Sequence, residues 1–258
     1  MGFPPTFDAY VPSSLENLLS SGKITPGYVS FDTLRQVPLD LEHTASMQYS
    51  QKITPPAGFD HCVRVYYFSL AILANGFPSQ SMIVEQIPFA DLAKRLYHAC
   101  ILHDLGWSSV SEGREHPAHA MSFEIHGGIM AYEHLLREAP TLNANQLGDI
   151  VQSIMLHTSQ WPSGSSSTLK TLLSLAALFD IGGYDALGPG AFDFLINRQT
   201  VKEIEAAFPR GNLYAEGGES LKREFSTKPD CLLLHFPGGA ESFIGVIRKE
   251  SIVSEADI

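Results

Sequence analysis

Four polar residues, far apart in the chain, have side chains of the kind that bind a divalent metal: His61, the adjacent pair His103-Asp104, and Asp180. Each lies in a stretch that is otherwise apolar and typical of a helix. A polar group in such a helix costs free energy unless it is hydrogen-bonded, paired or bound to a cation. Two imidazoles and two carboxylates brought together suit a divalent transition metal. We expect one zinc ion per chain, and these residue types leave iron and manganese open.

The His-Asp dipeptide alone is a weak signal, because short motifs recur by chance. Its weight comes from position. His61 is near a predicted helix start, whereas His103-Asp104 and Asp180 are near predicted helix ends, and Gly106 closes the second of these helices. Sequence neighbours do not share a helix face. Both members of the pair therefore reach one ion only if it lies beside the end of their helix.

The elements that must position these residues are helical. Apolar periodicity predicts helices over 59–75, 89–105, 121–139, 145–158, 168–181, 199–208 and 216–225. Alternation typical of strands occurs only at 231–236 and 243–247. We predict an all-α protein with an N-terminal arm over 1–58, a metal-binding helical domain over 59–236, and a short irregular C-terminal extension over 237–258. The arm includes a short helix around 14–19, and 107–119 is predicted to be a loop.

Composition narrows the classes of partner. The chain has 258 residues, 44% of them hydrophobic, and a formal net charge of -11, which argues against nucleic acid and anionic membrane as partners. The three cysteines, Cys62, Cys100 and Cys231, form no paired framework and predict reduced thiols. We find no signal peptide and no apolar run of about 20 residues. We expect a cytoplasmic protein, and a homo-oligomer stays open.

A resemblance extends over most of residues 59–210. The matching stretches are DHCVRVYYF, ACILHDLG, MSFEIHGGIMA, IMLHTS, LAALFDIGGYD and INRQTVKEIEAAFPR. Together they resemble the HD-domain metal-dependent hydrolase superfamily, whose motif is H…HD…D, and within it the cyanamide hydratases and their fungal relatives. The resemblance implies an orthogonal helical bundle with zinc bound by His61, His103, Asp104 and Asp180. It also implies that a small uncharged nitrogen-containing substrate is hydrated at a carbon–nitrogen triple bond to an amide-type product.

Three residues are predicted to lie at the substrate pocket. Trp107 follows the His-Asp pair where the relatives usually have small hydroxyl residues. Phe123 stands where many dinuclear HD enzymes have a histidine, so we predict a single metal. Arg64 comes one helical turn after His61 and either faces the site or forms an ion pair elsewhere.

Glu124 and His157 are the candidates to move protons. Glu124 is also compatible with a solvated carboxylate or a helix–helix salt bridge. His157 is also compatible with a charge effect at a helix C-terminus. Trp107 and the enlarged loops at 108–119 and 159–167 favour a substrate other than cyanamide itself, namely an apolar or aromatic nitrile or isonitrile.

Two other functions are compatible with parts of the sequence. A phosphohydrolase acting on a nucleotide or small phosphomonoester needs arginine, lysine or a second metal, and only Arg64 and Arg114 lie near the motif residues. A metal-binding protein without catalysis is the other alternative, against which Glu124 and His157 speak. His116, His119 and His126 cluster around the polar loop, and we interpret them as structural rather than as a second metal site.

Overall fold

The computed structural model describes residues 2–254. It is an all-α bundle in which strands are confined to four segments of three residues. The helices are α1 (Leu15–Ser21), α2 (Phe31–Leu34), α3 (Leu41–Ile53), α4 (Pro56–Ala74), α5 (Phe89–Leu102), α6 (Ser111–Arg114), α7 (Phe123–Glu138), α8 (Ala144–Leu156), α9 (Thr168–Gly182), α10 (Arg198–Ala207), α11 (Leu213–Thr227) and α12 (Gly239–Val246). The predicted all-α class is confirmed.

Two small antiparallel ribbons join the start of the chain to the bundle. Strand β1 (Thr6–Asp8) pairs with β3 (Gln86–Pro88), and β2 (Tyr10–Pro12) pairs with β4 (Ser165–Ser167). Strand β3 runs directly into α5, and β4 runs directly into α9. The end of the predicted loop at 159–167 is therefore a strand that pairs with the start of the chain.

The main hydrophobic core surrounds α4, which packs against α5 and α9, while α7 packs against α8. Residues of the predicted N-terminal arm belong to this same core, among them Phe7, Leu18 and Leu34. The arm is thus part of the bundle's packing. None of the helices within residues 2–254 is long and apolar enough to cross a membrane.

Helix α3 was not predicted, because its buried face is mostly polar. His43, Ser46, Ser50 and Ile53 are the buried residues of this helix, at the three- and four-residue spacing of one helical face. A search for apolar periodicity misses such a face. The start of α3 carries a reciprocal capping box between Asp40 and the side chain of His43.

The C-terminal region differs from the prediction. The alternating stretch at 231–236 forms a 3-10 helix, Leu232–His235, and the predicted irregular extension contains α12. Short alternating runs do not distinguish strand from helix when both faces are buried. Here Phe236 and Phe243 pack into a second apolar cluster with Trp107 and Phe123. Residues 237–254 therefore pack against the bundle instead of forming an irregular extension. Residues 255–258 lie outside the described residues.

Close packing around the helix ends depends on glycines. A Cβ atom on Gly106 would lie 2.0 Å from the carbonyl oxygen of Phe123, and one on Gly128 would lie 2.4 Å from Cγ of Met155. These clashes show how closely the start of α7 approaches the turn after α5, and how closely α7 approaches α8. The three cysteines are buried and unpaired.

Candidate metal centre

Three of the predicted ligands converge at one buried point. Nε2 of His61 lies 3.2 Å from Nε2 of His103, and Oδ2 of Asp104 lies 3.5 Å from each of these nitrogens. All three side chains are buried. Oδ2 of Asp104 has no hydrogen-bond partner among the described residues. A buried carboxylate oxygen without a partner is costly, so this geometry fits a cation held between the three atoms.

The protonation of both ring systems supports that interpretation. Nδ1 of His103 lies 2.7 Å from the carbonyl oxygen of Cys100, which only accepts, so Nδ1 is the donor. Nδ1 of His61 donates to the carboxylate of Asp180 at 2.6 Å. Burial lowers the pKa of His103, which favours its neutral ring. The Nε2 atoms of the two rings face each other, as expected for two imidazoles that bind one cation.

Helix ends deliver these groups. His61 lies in the second turn of α4, and His103-Asp104 follows the last residue of α5. Asp104 therefore lies just beyond the C-terminal end of α5, as predicted for a pair of neighbours that reach one ion. The chain continues into a 3-10 turn, Leu105–Trp107, which brings Trp107 into the lining of a cavity that these three ligand candidates also line.

Asp180 is not part of this three-residue group. Its Oδ2 accepts from Nδ1 of His61, and Arg64 donates to both of its oxygens at 2.7 and 2.9 Å. Arg210 adds a contact to Oδ1 at 3.4 Å. Burial alone would raise the pKa of Asp180, but the two guanidiniums and the His61 hydrogen bond hold it far below its ordinary value. In this structure, Asp180 contacts the centre through the ring of His61.

Arg64 does not line the cavity, so the pocket placement is corrected. Its guanidinium is fully buried against Asp180, and it also donates to the carbonyl oxygens of Phe208 and Pro209. The ion pair that the sequence left open is the arrangement found. The spacing from His61 correctly placed Arg64 one turn away, but it could not tell that Asp180 would take up the guanidinium.

A cavity of about 340 Å³ lies over the three converging atoms. Trp107 and Phe123 both line it, with ring centroids 5.2 Å apart. Other apolar walls come from α9 and from the C-terminal region, through Leu178 and Phe243. The cavity is therefore mostly apolar, with polar groups at the candidate metal centre, along one side of α9, and in the segments 13–14 and 158–160.

His157 lines the cavity, and its ring centroid is 5.0 Å from that of His103. Nδ1 donates to the carbonyl oxygen of Ile154 at 2.7 Å, which leaves Nε2 as the nitrogen available to the cavity. Burial lowers the pKa of His157 well below its usual value, and the nearby His103 ring acts in the same direction. Burial therefore favours the neutral imidazole, with the lone pair of Nε2 available to the cavity.

Glu124 lies behind the cavity wall and does not line it. Its carboxylate accepts hydrogen bonds from the hydroxyls of Ser122 and Thr158. Burial raises the pKa of Glu124 to about 7, although those two hydrogen bonds oppose the shift. Thr158 does line the cavity. The hydroxyl of Thr158 thus connects a carboxylate that titrates near neutrality to the cavity, a role that sequence reasoning missed although the residue follows His157.

The second set of histidines is arranged differently. The His126 ring centroid lies 5.4 Å from that of His116 and 5.3 Å from that of His119. Neither ring nitrogen of His126 has a hydrogen-bond partner among residues 2–254, although the side chain is buried. Within the described part of the chain, these three rings do not form a group of converging ligand atoms. The structural interpretation of this set is retained.

Comparison with known proteins gives a relationship to one class of enzyme. No family model matches the chain. Two proteins from Saccharomyces cerevisiae, cyanamide hydratase DDI2 and cyanamide hydratase DDI3, are each 28% identical to it over 195 residues, which is 75% of this chain and 77% of each relative. The chain is therefore similar to cyanamide hydratases over most of its length.

Proposed function

We propose that this chain is a metal-dependent hydratase that adds water to a carbon–nitrogen triple bond, in cyanamide, a nitrile or an isonitrile, and releases an amide-type product. The observation that carries the proposal is Oδ2 of Asp104, which has no hydrogen-bond partner among the described residues and lies 3.5 Å from two histidine nitrogens at the base of an apolar cavity. The similarity to two cyanamide hydratases supports the reaction type.

His61, His103 and Asp104 would hold the metal, for which we propose zinc. When bound, such an ion lowers the pKa of a water and supplies a nucleophile at neutral pH. Three protein ligands with one open position are the usual pattern of catalytic zinc sites. Asp180 then fixes the His61 ring from behind, through the hydrogen bond to Nδ1, as carboxylates commonly do for metal-binding histidines.

The reaction requires two proton transfers. Water oxygen forms a bond to the nitrile carbon, one π bond to nitrogen breaks, and the nitrogen gains a proton. A second proton then moves from oxygen to nitrogen, so that R–C≡N and H₂O become R–C(=O)NH₂ with no other product. For an isonitrile, R–N≡C, the oxygen bonds to the terminal carbon, one proton goes to that carbon and the other to nitrogen, and the product is R–NH–CHO. His157 has Nε2 in the cavity to accept the first proton and return it. Glu124 supplies a second proton acceptor through the hydroxyl of Thr158.

The proposal includes the HD-domain assignment, because the order His61, His103-Asp104, Asp180 follows the H…HD…D motif. The structure gives its last member an indirect position. In the resembled family this aspartate is a ligand, whereas here both of its oxygens are occupied by Arg64 and His61.

A phosphohydrolase reaction is less well supported. Transfer of a phosphoryl group needs cationic groups directed at the phosphate oxygens. The Arg64 guanidinium is committed to Asp180 and two backbone carbonyls, so it is not directed at the cavity. Among the described residues, Lys170 is the single lysine or arginine in the cavity lining. Phe123, which lines the cavity, offers no ligand for a second metal.

The test is turnover by zinc-loaded protein. Cyanamide, benzonitrile, an isonitrile and a phosphomonoester are incubated with it, and urea, benzamide, formamide and inorganic phosphate are quantified. We expect hydration of at least one carbon–nitrogen triple bond, abolished by chelation and restored by zinc. Phosphate release without hydration would favour the phosphohydrolase, and bound metal without any turnover would favour a non-catalytic protein.

A further inference from the structure

The two sides of the cavity differ in polarity, and this difference bears on which nitrile fits it. Pockets that enclose ligands of drug-like size have volumes of about 300–1,000 Å³, and this cavity, at about 340 Å³, falls in that range. Cyanamide, H₂N–C≡N, is smaller than most single side chains. It would leave most of the cavity unfilled, and its amino group would face hydrocarbon.

The apolar side is aromatic. Trp107 and Phe123 form one part of it, and Phe236 and Phe243, with ring centroids 5.0 Å apart, form another. The latter pair comes from the C-terminal region, which packs with Trp107 and Phe123 in a second hydrophobic cluster. Rings in such an arrangement favour a flat apolar ligand, through edge and face contacts.

The polar side lies on α9. Lys170 is 9% exposed and lines the cavity, and its Nζ donates to the carbonyl oxygen of Ser159 at 2.6 Å. Among the described residues no carboxylate pairs with it, and burial lowers the pKa of Lys170 to about 8. A buried ammonium group without a counter-ion is costly. Its one carbonyl partner leaves donor capacity for a ligand.

Ser174 is one helical turn further along the same face of α9. It also lines the cavity, and its hydroxyl is buried with no hydrogen-bond partner among the described residues. An ammonium group and a free hydroxyl at this spacing are donors suited to one carboxylate. Six residues separate Ser174 from Asp180, which is about 9 Å along a helix axis, and Asp180 contacts His61. The polar side of the cavity and the candidate metal centre are thus separated along α9, which leaves room between them for the body of a ligand.

We propose that the substrate is an aromatic nitrile with a carboxylate at its far end, held by Lys170 and Ser174 while the ring lies between the aromatic walls and the nitrile carbon meets the metal centre. This inference rests on the proposed function. Addition of water to such a molecule gives the corresponding carbamoyl benzoate, with the atom balance already described, and the carboxylate takes no part in the reaction.

The test compares 4-cyanobenzoate with benzonitrile and cyanamide on the zinc-loaded protein. We expect kcat/KM to fall in that order. Lys170→Met should reduce the ratio of kcat/KM for 4-cyanobenzoate to that for benzonitrile about tenfold to a hundredfold, chiefly through KM, because a charged hydrogen bond is lost. Ser174→Ala should reduce the ratio in the same direction. Lys222→Met, at an exposed lysine paired with Glu219, is the matched control and should leave the ratio as it is.

Binding can be measured without turnover, because both tryptophans of the chain, Trp107 and Trp161, line the cavity. Quenching of their fluorescence by 4-cyanobenzoate should saturate, and should weaken in Lys170→Met and above pH 8. Preference for cyanamide, with a ratio indifferent to Lys170, would overturn the inference and leave the proposed hydratase intact. Lysine-dependent binding without hydration would overturn the proposed reaction and retain the ligand class. Absence of both binding and turnover would overturn both.

Discussion

Two groups of three histidines adjoin α7, and they differ in how their rings are held. The converging group is His61, His103 and His157, and the loop group is His116, His119 and His126. Every ring of the converging group donates its Nδ1 hydrogen to a fixed carbonyl or carboxylate, so that every Nε2 is left as an acceptor. In the loop group, Nδ1 of His116 instead accepts from a backbone N–H, and neither ring nitrogen of His126 has a hydrogen-bond partner among residues 2–254.

The difference shows that histidine density is a poor guide to a metal site. The loop group is the denser in sequence, with three histidines within eleven positions, whereas the converging group is spread over three helices. Two features distinguish the converging group. A hydrogen bond at Nδ1 fixes the tautomer of each ring, and the nearby Oδ2 of Asp104 has no hydrogen-bond partner among the described residues. Outer hydrogen bonds of this kind orient metal ligands.

The largest expected difference between the two histidine groups is in metal content. His103→Gln should remove the metal, one equivalent per chain in the wild type, and lower turnover by about a thousandfold or more, since several kcal/mol of barrier lowering go with the ion. His126→Gln is the matched variant in the loop group and should keep one equivalent. Elemental analysis and turnover decide this. A wild type with two equivalents, one of them lost in His126→Gln, would make the loop group a second site.

The next effect concerns Glu124, which the converging group reaches through Thr158. Glu124→Gln should keep the metal and lower kcat about 10²–10⁴-fold, as expected for a general base. The pKa of Glu124 is raised by burial to about 7, so wild-type kcat/KM should fall as the pH drops below 7 and the carboxylate gains a proton. That limb should disappear in Glu124→Gln. Glu133→Gln, in the same helix beside His116, is the control, and an equal loss there would point to helix damage.

A smaller effect tests whether Asp180 acts through His61. Asp180→Asn should weaken zinc affinity about tenfold to a hundredfold yet still bind one equivalent at saturating zinc. Competition with a chelator measures this, and thermal unfolding checks the fold, because Arg64 loses its buried partner. Asp193→Asn, at an exposed ion pair with Arg198, is the control. Complete loss of metal, equal to that in Asp104→Asn, would make Asp180 a direct ligand, as the family resemblance implies.

The sequence predicted the main helices of the bundle and the three residues that converge, His61, His103 and Asp104. It could do so because apolar periodicity and the position of polar residues at helix ends are local properties. It missed α3, whose buried face is made of His43, Ser46 and Ser50. The sequence allowed an ion pair for Arg64 but could not identify Asp180 as its partner, because only packing brings together residues that are 116 positions apart. Thr158 was missed for the same reason, because its hydroxyl acquires meaning only beside Glu124.

The smallest expected effect is on stability, through the pH dependence that the buried His126 of the loop group gives to the free energy of unfolding. Burial lowers the pKa of His126 to about 4, and the nearby charges of His119, Lys228 and His116 act in the same direction. The unfolded chain takes up this proton near pH 6.5, but the folded protein does so only near 4. The free energy of unfolding should therefore fall as the pH drops from 6.5 to 4, by up to about 1.4 kcal/mol per pH unit from this residue. His126→Phe, compared with wild type by denaturant unfolding of the metal-free proteins, should reduce that slope. An unchanged slope would mean that the ring of His126 is already protonated or hydrated in the folded state, and the loop group would then lose its character as a buried, neutral set.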